Sequence, residues 1–329
     1  MTTKSNEINK SNKSNILCLD KNTDLYISYT WYSTGDHMTM THGICGHTFE
    51  VIEYFWILKN IFKCKMLWPE TTPTWEMIEI AIRSKYDFND DEIEYIKDCS
   101  EFSSNIKLLK GNNILLVDGE YHRLSNNTLL FKNVLMFACG VKDLYKIDKN
   151  NIHILQDYKI YKYGERTINY TKKILFSRFK KIEKFEDNIF IYLSSNCRTV
   201  PKDDLKELLD KYSSKNILIG TDIVETYEYL YKDYSNVKIK ILPIINLTEK
   251  FNTFIYTSTP RKWDCSNRMI PESIFYDKKV LMHLDDDYLE YDIALKVRLD
   301  DISKNNLNDI TLTEDDEIIN IISNIIQIQ

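Results

Sequence analysis

Short apolar runs alternate with amphipathic helical stretches through the second half of the chain, and this alternation restricts the fold more than any other feature. Ile189–Ser194 reads as a strand, Lys202–Tyr212 as a helix, Asn216–Gly220 as a strand and Asp222–Tyr231 as a helix. Val237–Leu242 and Phe254–Thr257 follow as strands, Pro271–Tyr276 as a short helix, Val280–His283 as a strand and Tyr288–Leu299 as a helix. Strands interleaved with helices imply parallel sheets with helices on both faces. The first half repeats the pattern less cleanly. Its strands are Leu25–Trp31, Cys64–Trp68, Asn113–Val117, Val134–Cys139, Ile152–Gln156 and Lys172–Ser177; its helices are His47–Phe62, Thr74–Lys85 and Asp90–Asp98. The two runs meet in a charged stretch, 178–188. The expectation is α/β: two Rossmann-like, doubly wound domains facing a cleft, over 23–180 and 181–303. A polar flexible arm (1–22) precedes them, and a last apolar helix in 304–329 packs back.

Composition narrows the class. The chain has 329 residues, enough for two domains. With 43% hydrophobic and 28% charged residues it can bury a large core, which excludes a long disordered chain. No run approaches the ~18 apolar residues of a membrane-spanning helix, and the polar opening has no apolar signal region, so no membrane insertion or secretion is expected. Seven cysteines stand singly, none in a CxxC pair, which fits reduced thiols and a cytoplasmic location. A net charge of −6 excludes a uniformly basic nucleic-acid binder and leaves room for a local basic groove.

Three loops carry candidate chemistry. The first follows the first strand, from Ser33 through Gly35, Asp36 and His37 to His42 and Gly46, and holds three of the eight glycines. Backbone there can approach an acceptor closely, through Gly35 and His42, and Asp36 or His37 could take a proton from a hydroxyl. A zinc site from His37, His42 and His47 is the alternative, without a recognised ligand spacing. The second loop runs Ser194-Ser195-Asn196-Cys197-Arg198 before a helix. Asn196 and Arg198 would seat a diphosphate, because a guanidinium fork matches phosphate oxygens. The third is the most specific: after a strand come Ser258, Arg261 and Arg268, then a helix opening at Pro271-Glu272. A carboxylate in a helix first turn can accept ribose hydroxyls while arginines hold a pyrophosphate. That combination needs no metal and no cofactor besides the donor, although a divalent ion could assist.

The Arg-x-x-Pro-Glu-x-x-x-Tyr pattern of Arg268–Tyr276, lying before a strand in the second of two Rossmann-like halves, resembles GT-B glycosyltransferases. The resemblance implies transfer of a sugar (hexosyl or pentosyl) from a nucleotide-sugar donor such as a UDP-sugar. It places Glu272 on the ribose and Arg268 on phosphate, with Arg198 beside them. Leu155-Gln156-Asp157-Tyr158-Lys159 resembles the Asp-x-Arg segment of phage DNA glucosyltransferases, which implies Asp157 as catalytic base; Lys159 stands where that segment has Arg. The abundance of Asn, Lys and Ile fits an AT-rich, phage-like genome, so a hydroxymethylated DNA base becomes an expected acceptor. The run Lys172, Lys173, Arg178, Lys180, Lys181 and Lys184, interleaved with Phe176, Phe179 and Phe185, would supply a nucleic-acid patch; a solvated linker face gives the same pattern. Other readings are a glycan or small acceptor, a metal-dependent GT-A transferase using Asp285 and Asp287, and a non-catalytic nucleotide-sugar binding protein.

Overall fold

The computed structural model describes residues 25–29, 32–34, 37–39, 44–70, 73–103, 111–119, 131–138, 151–156, 167–193, 200–221, 223–242, 244–257, 268–283 and 304–327. The expected arm, the expected helix over Tyr288–Leu299 and Asp285–Asp287 fall outside this description.

The first half builds a seven-stranded sheet. Its strands are β1 (Leu25–Ser28), β4 (Cys64–Trp68), β5 (Ser100–Phe102), β6 (Asn113–Gly119), β7 (Asn133–Ala138), β8 (Ile152–Gln156) and β9 (Thr167–Asn169). All pair in parallel, in the order β5-β4-β1-β6-β7-β8-β9. Strand β1 is buried along its whole length, as a central parallel strand must be when both faces are covered. Helices α1 (Gly46–Leu58), α2 (Trp75–Lys85) and α3 (Asp90–Asp98) lie between the early strands. Local chemistry sets their ends. Thr74 caps α2 at Met77 N, with Glu76 in its first turn and Arg83 and Lys85 in its last. Asn89 and Glu92 form a reciprocal capping box on α3, each bond 2.9 Å.

The second half builds a five-stranded parallel sheet, in the order β12-β11-β10-β13-β14. The strands are β10 (Asn188–Tyr192), β11 (Asn216–Thr221), β12 (Val237–Ile241), β13 (Thr253–Thr257) and β14 (Lys279–His283). Helices α4 (Lys202–Lys211), α5 (Leu230–Asp233) and α6 (Met269–Phe275) connect them. Side chains alternate along each strand. Ile189 and Ile191 therefore join Leu205 and Leu209 of α4 on one face, while Phe190, Phe254 and Tyr256 meet Ile270 of α6 on the other. Helix α7 (Glu317–Gln327) closes the chain, and its Ile318 and Ile322 are fully buried in the core of the first half.

Both sheets reverse direction at one place. In the first, chain order runs one way from β1 through β4 to β5 and the other way from β6 onward. In the second, the reversal falls between β10 and β13. These reversals open the crevices where parallel α/β sheets bind ligands. Two parallel, Rossmann-like units are the α/β layout expected of a GT-B fold.

Three local readings need correction. Residues 32–34 and 37–39, taken as loop, form an antiparallel hairpin, β2 (Tyr32–Thr34) and β3 (His37–Thr39). The residues between them in sequence, Gly35 and Asp36, are a Gly-X pair of the kind two-residue hairpin connections favour. The strand expected at Lys172–Ser177 is instead a single bridge, Ile174 to Thr311, followed by a 3-10 turn at Phe176–Arg178. The helix expected over Asp222–Tyr231 is a 3-10 turn (Glu225–Tyr227) and the four-residue α5; its tyrosine-rich sequence has modest helix propensity.

Candidate functional site

The helices that follow the two reversals touch each other. Helix α1 begins after β1, at Gly46. Arg268, the residue before α6, lies so close that a Cβ on Gly46 would stand 3.3 Å from its Cδ. The two halves are joined here by charge. Arg268 grips Glu53 of α1 with a two-pronged contact, Nη1 to Oε2 at 2.8 Å and Nη2 to Oε1 at 2.7 Å. Its Nε donates to Glu272 Oε1 at 2.9 Å, and Lys85, the last residue of α2, donates to the same oxygen. Tyr86 adds its hydroxyl to Glu53 Oε1 at 2.7 Å.

Two carboxylates and two cations thus form a neutral cluster with almost no water contact; Arg268 and Glu272 are each 8% exposed and Glu53 is fully buried. Burial opposes ionisation of Glu272, but Lys85 and Arg268 outweigh it and hold the carboxyl below its ordinary value. Among the described residues, every hydrogen bond to Glu272 falls on Oε1, so Oε2 is the oxygen left for a further donor. Helix α6 starts two residues earlier than expected, at Met269, yet Glu272 stays in its first turn.

A second cluster sits one turn away. Glu50 of α1 is buried, and its Oε2 accepts His47 Nδ1 at 2.8 Å and Lys172 Nζ at 3.0 Å. Burial opposes this charge too, and Lys172 and His47 overcome it, driving the carboxyl well below the usual range. The aromatic ring of Tyr29, just past β1, packs at 6.4 Å from the His47 ring.

The sequence reading missed Glu50 and Glu53. Their signal was present: they are the only acidic residues in the otherwise largely apolar segment Gly46–Leu58, and a buried carboxylate must find a cation. Of the expected site residues, Arg268 and Glu272 are brought together. His37 lies in β3. Asp157, Asp36, Arg198, Arg261, Ser258, Asn196, Gly35 and His42 fall outside the described residues. In sequence, Asp157 directly follows β8 and Ser258 directly follows β13.

The basic run is partly paired within the fold. Lys172 is bound by Glu50, and Lys173 by Asp316 at 2.8 Å. Arg178 is bound by Glu92 at 2.6 Å and stacks over Trp56 and Phe88. Phe176 and Phe179 are core residues. The remaining exposed lysines, 181 and 184, alternate with exposed Glu183 and Glu186, a solvated mixed-charge face. Among the described residues, no three His, Cys, Asp or Glu side chains converge on a metal-sized site, and no helix is long and apolar enough to cross a membrane.

Past the end of α6, Lys278 is held in an aromatic cage. Its Nζ donates to the carbonyls of Thr248 and Phe251, and lies 3.5 Å from the Phe251 ring centroid and 4.5 Å from that of Phe185. Burial lowers this amine to about 7, with Glu272 opposing. The unfolded chain therefore binds more protons than the folded one between about pH 7 and the lysine's ordinary 10.5, so stability should rise with pH across that window. Thermal melts from pH 7 to 9 should show the rise, and Lys278→Met should flatten it. A wild-type midpoint that falls over this range would contradict the assignment.

No family model matches the sequence, and no curated protein matches it. The chain is similar in shape to several solved structures, of which two follow. One is a mutant O-GlcNAc transferase of Thermobaculum terrenum, with TM-score 0.43 and 10% identity, covering 93% of this chain and 60% of that one. The other is MurG of Acinetobacter baumannii, with TM-score 0.33 and 10% identity, covering 93% of this chain and 100% of that one. The chain thus spans 60% of the length of the first.

Proposed function

We propose that the chain is a glycosyltransferase of GT-B type, moving a sugar from a nucleoside diphosphate to a hydroxyl acceptor. One observation carries this reading: the Arg268–Glu272 helix start adjoins the reversal between β10 and β13, with an ionised carboxylate whose Oε2 accepts no hydrogen bond among the described residues. Glu272 would hold the ribose through Oε2. Asn196 and Arg198, which follow β10, and Ser258 and Arg261, which follow β13, would close on the diphosphate. Arg268 takes a different role from the expected phosphate ligand. With its guanidinium held by Glu53 and Glu272, it orients the ribose-binding carboxylate. Asp157, Asp36 and His37 stay candidates on the acceptor side.

Three of the six cations of the 172–184 run, Lys172, Lys173 and Arg178, are paired inside the fold, so the acceptor proposed here is a glycan or small-molecule hydroxyl. A phage origin and a hydroxymethylated DNA acceptor then rest on the Asp157 segment and on the Asn-, Lys- and Ile-rich composition.

The test is calorimetry of the full chain with UDP-glucose, UDP-N-acetylglucosamine and GDP-mannose, then mass spectrometry of oligosaccharide and hydroxymethylated DNA acceptors. At least one donor should bind, and Glu272→Gln should weaken it by about 1.5–3 kcal/mol, the worth of a charge-assisted hydrogen bond. Absence of binding by any donor would overturn the function. Unchanged affinity in a folded Glu272→Gln would overturn the ribose role. Sugar mass appearing on DNA would reverse the acceptor choice.

A further inference from the structure

We propose that Lys85, on the first half, is a positioning residue for the donor site on the second: it fixes the Glu272 carboxylate that would meet the ribose, so nucleotide affinity depends on the contact between the halves. This rests on the glycosyltransferase reading above and deepens it. The starting point is a lysine buried where its helix does not require it. Arg83 and Lys85 both lie in the last turn of α2 and both suit its dipole. Arg83 stays at the surface, 46% exposed, and pairs with Glu79 and Asp90. Lys85 turns inward, its side chain 11% exposed, and burial weakens its hold on its proton. Glu272 compensates this, and among the described residues Lys85 has no other ion-pair partner.

The ammonium is held in place by its surroundings. The Phe49 ring of α1 lies 4.1 Å from Nζ and the Phe179 ring 5.1 Å. Behind it, Lys180 N donates to the Lys85 carbonyl at 3.0 Å, and Tyr86 bridges Phe179, so the end of α2 is tied to the segment that crosses between the halves. A lysine on a flexible four-carbon stem would otherwise sample many rotamers. Here the ring slot and the backbone ties direct it to Glu272 Oε1.

Two consequences follow for the carboxylate. Lys85 from the first half and Arg268 from the second both donate to Oε1, which fixes the engaged oxygen and leaves Oε2 to the ligand. Lys85 also supplies charge that Arg268 divides. Arg268 gives its two terminal nitrogens to Glu53 and only Nε to Glu272, whereas the Lys85 charge has Glu272 alone as partner. Lys85 is accordingly the stronger of the two cations that keep Glu272 ionised against burial. The charged and titratable groups around Glu272 are Glu53 from α1, Lys85 and Tyr86 from the end of α2, Arg268 and Tyr276 from the two ends of α6, and Lys278 just past it. Without Lys85, Glu53 competes for Arg268 while burial still opposes the Glu272 charge. The carboxyl then takes up a proton more readily and accepts from a ribose hydroxyl less strongly. By linkage, bound donor strengthens the Lys85–Glu272 contact by the same factor.

The test is calorimetry of the full chain with whichever of UDP-glucose, UDP-N-acetylglucosamine and GDP-mannose binds, over a pH series from about 8 to about 5.5. Both phosphates of such a donor are esterified and keep their charge across the series, so a slope reports the protein. The wild type should be flat, because Glu272 is held below its ordinary value. Lys85→Met should bind about 5- to 150-fold more weakly, the span of ordinary coupling between sites, and should lose further affinity as the pH falls. Adding Glu272→Gln to Lys85→Met should abolish that slope, which assigns it to Glu272 rather than Glu53. Lys85→Arg keeps the charge and should restore the flat profile. If Lys85→Met does not fold, Lys85→Gln keeps a donor for Oε1 without the charge and should show the same slope. A flat profile in the Met and Gln variants, whatever their stability, or a slope that survives Glu272→Gln, overturns this assignment alone. A wild type that binds no nucleotide sugar overturns the glycosyltransferase reading and this assignment together.

Discussion

Glu53→Ala is expected to destabilise the protein by about 3–5 kcal/mol, the range for removing one partner of a buried ion pair. The reason lies in what stays behind. Arg268 would keep only Glu272 as counter-ion, its Nη1 and Nη2 would lose both acceptors inside the fold, and the Tyr86 hydroxyl would lose its only described acceptor. Water cannot easily take their place, because Arg268 is 8% exposed and Tyr86 1%. The contact also joins the two halves, so its loss should loosen α6 from α1 as well as lower stability. Glu53→Met combined with Arg268→Met should cost far less than Glu53→Ala, since exchanging a whole buried pair for apolar side chains of similar volume is often close to neutral. Urea denaturation of the wild type, Glu53→Met, Arg268→Met and the double Met variant forms a cycle that isolates the coupling. A Glu53→Ala penalty below about 1 kcal/mol would mean that the charges are solvated in solution.

This cluster also marks where sequence reading stops. The parallel units were legible because each element announces itself locally. Strand runs such as Ile189–Ile191 are continuously apolar, and α2, α3 and α4 carry acidic residues at their starts and basic ones at their ends. Glu272 was legible as an acidic residue at a helix start. Its surroundings were not, because Glu53 and Arg268 are 215 positions apart, and Lys85 and Glu272 are 187. Nothing in a local window says which distant carboxylate an arginine will meet. The lysine-phenylalanine run of 172–184 stayed ambiguous for the same reason. Its spacing suits a nucleic-acid groove, a solvated face or a tie between elements, and only the placement of Glu50, Glu92 and Asp316 decides for the tie. Strand order is likewise absent from the sequence, so the reversals at β1/β6 and β10/β13, which locate both crevices, emerged only with the fold.

Asp316→Ala is expected to cost a further ~3–5 kcal/mol, by the same kind of loss at the other end of the chain. Asp316 precedes α7 and is 4% exposed. Its Oδ1 accepts the Ile318 backbone N–H and the Tyr170 hydroxyl, each at 2.9 Å, and its Oδ2 accepts Lys173 Nζ at 2.8 Å. One carboxylate therefore caps a helix, neutralises a lysine and satisfies a buried phenol. The cap alone is worth about 1 kcal/mol; the lysine, left with only Glu317 at 3.8 Å, and the buried phenol supply the rest. The consequence reaches the fold because α7 buries Ile318 and Ile322 completely in the core of the first half. Unlatching it would expose that core, so amide exchange should accelerate across α7 and the neighbouring β7 before it does so in β10 or β11. Asp316→Asn should fall between, since an amide oxygen still caps Ile318 and accepts Tyr170 but cannot neutralise Lys173. Urea melts with hydrogen exchange on the three proteins would read both effects. Equal stability of Asp316→Ala and wild type within about 0.5 kcal/mol, the range of an ordinary surface substitution, would show that α7 is held by its apolar face alone.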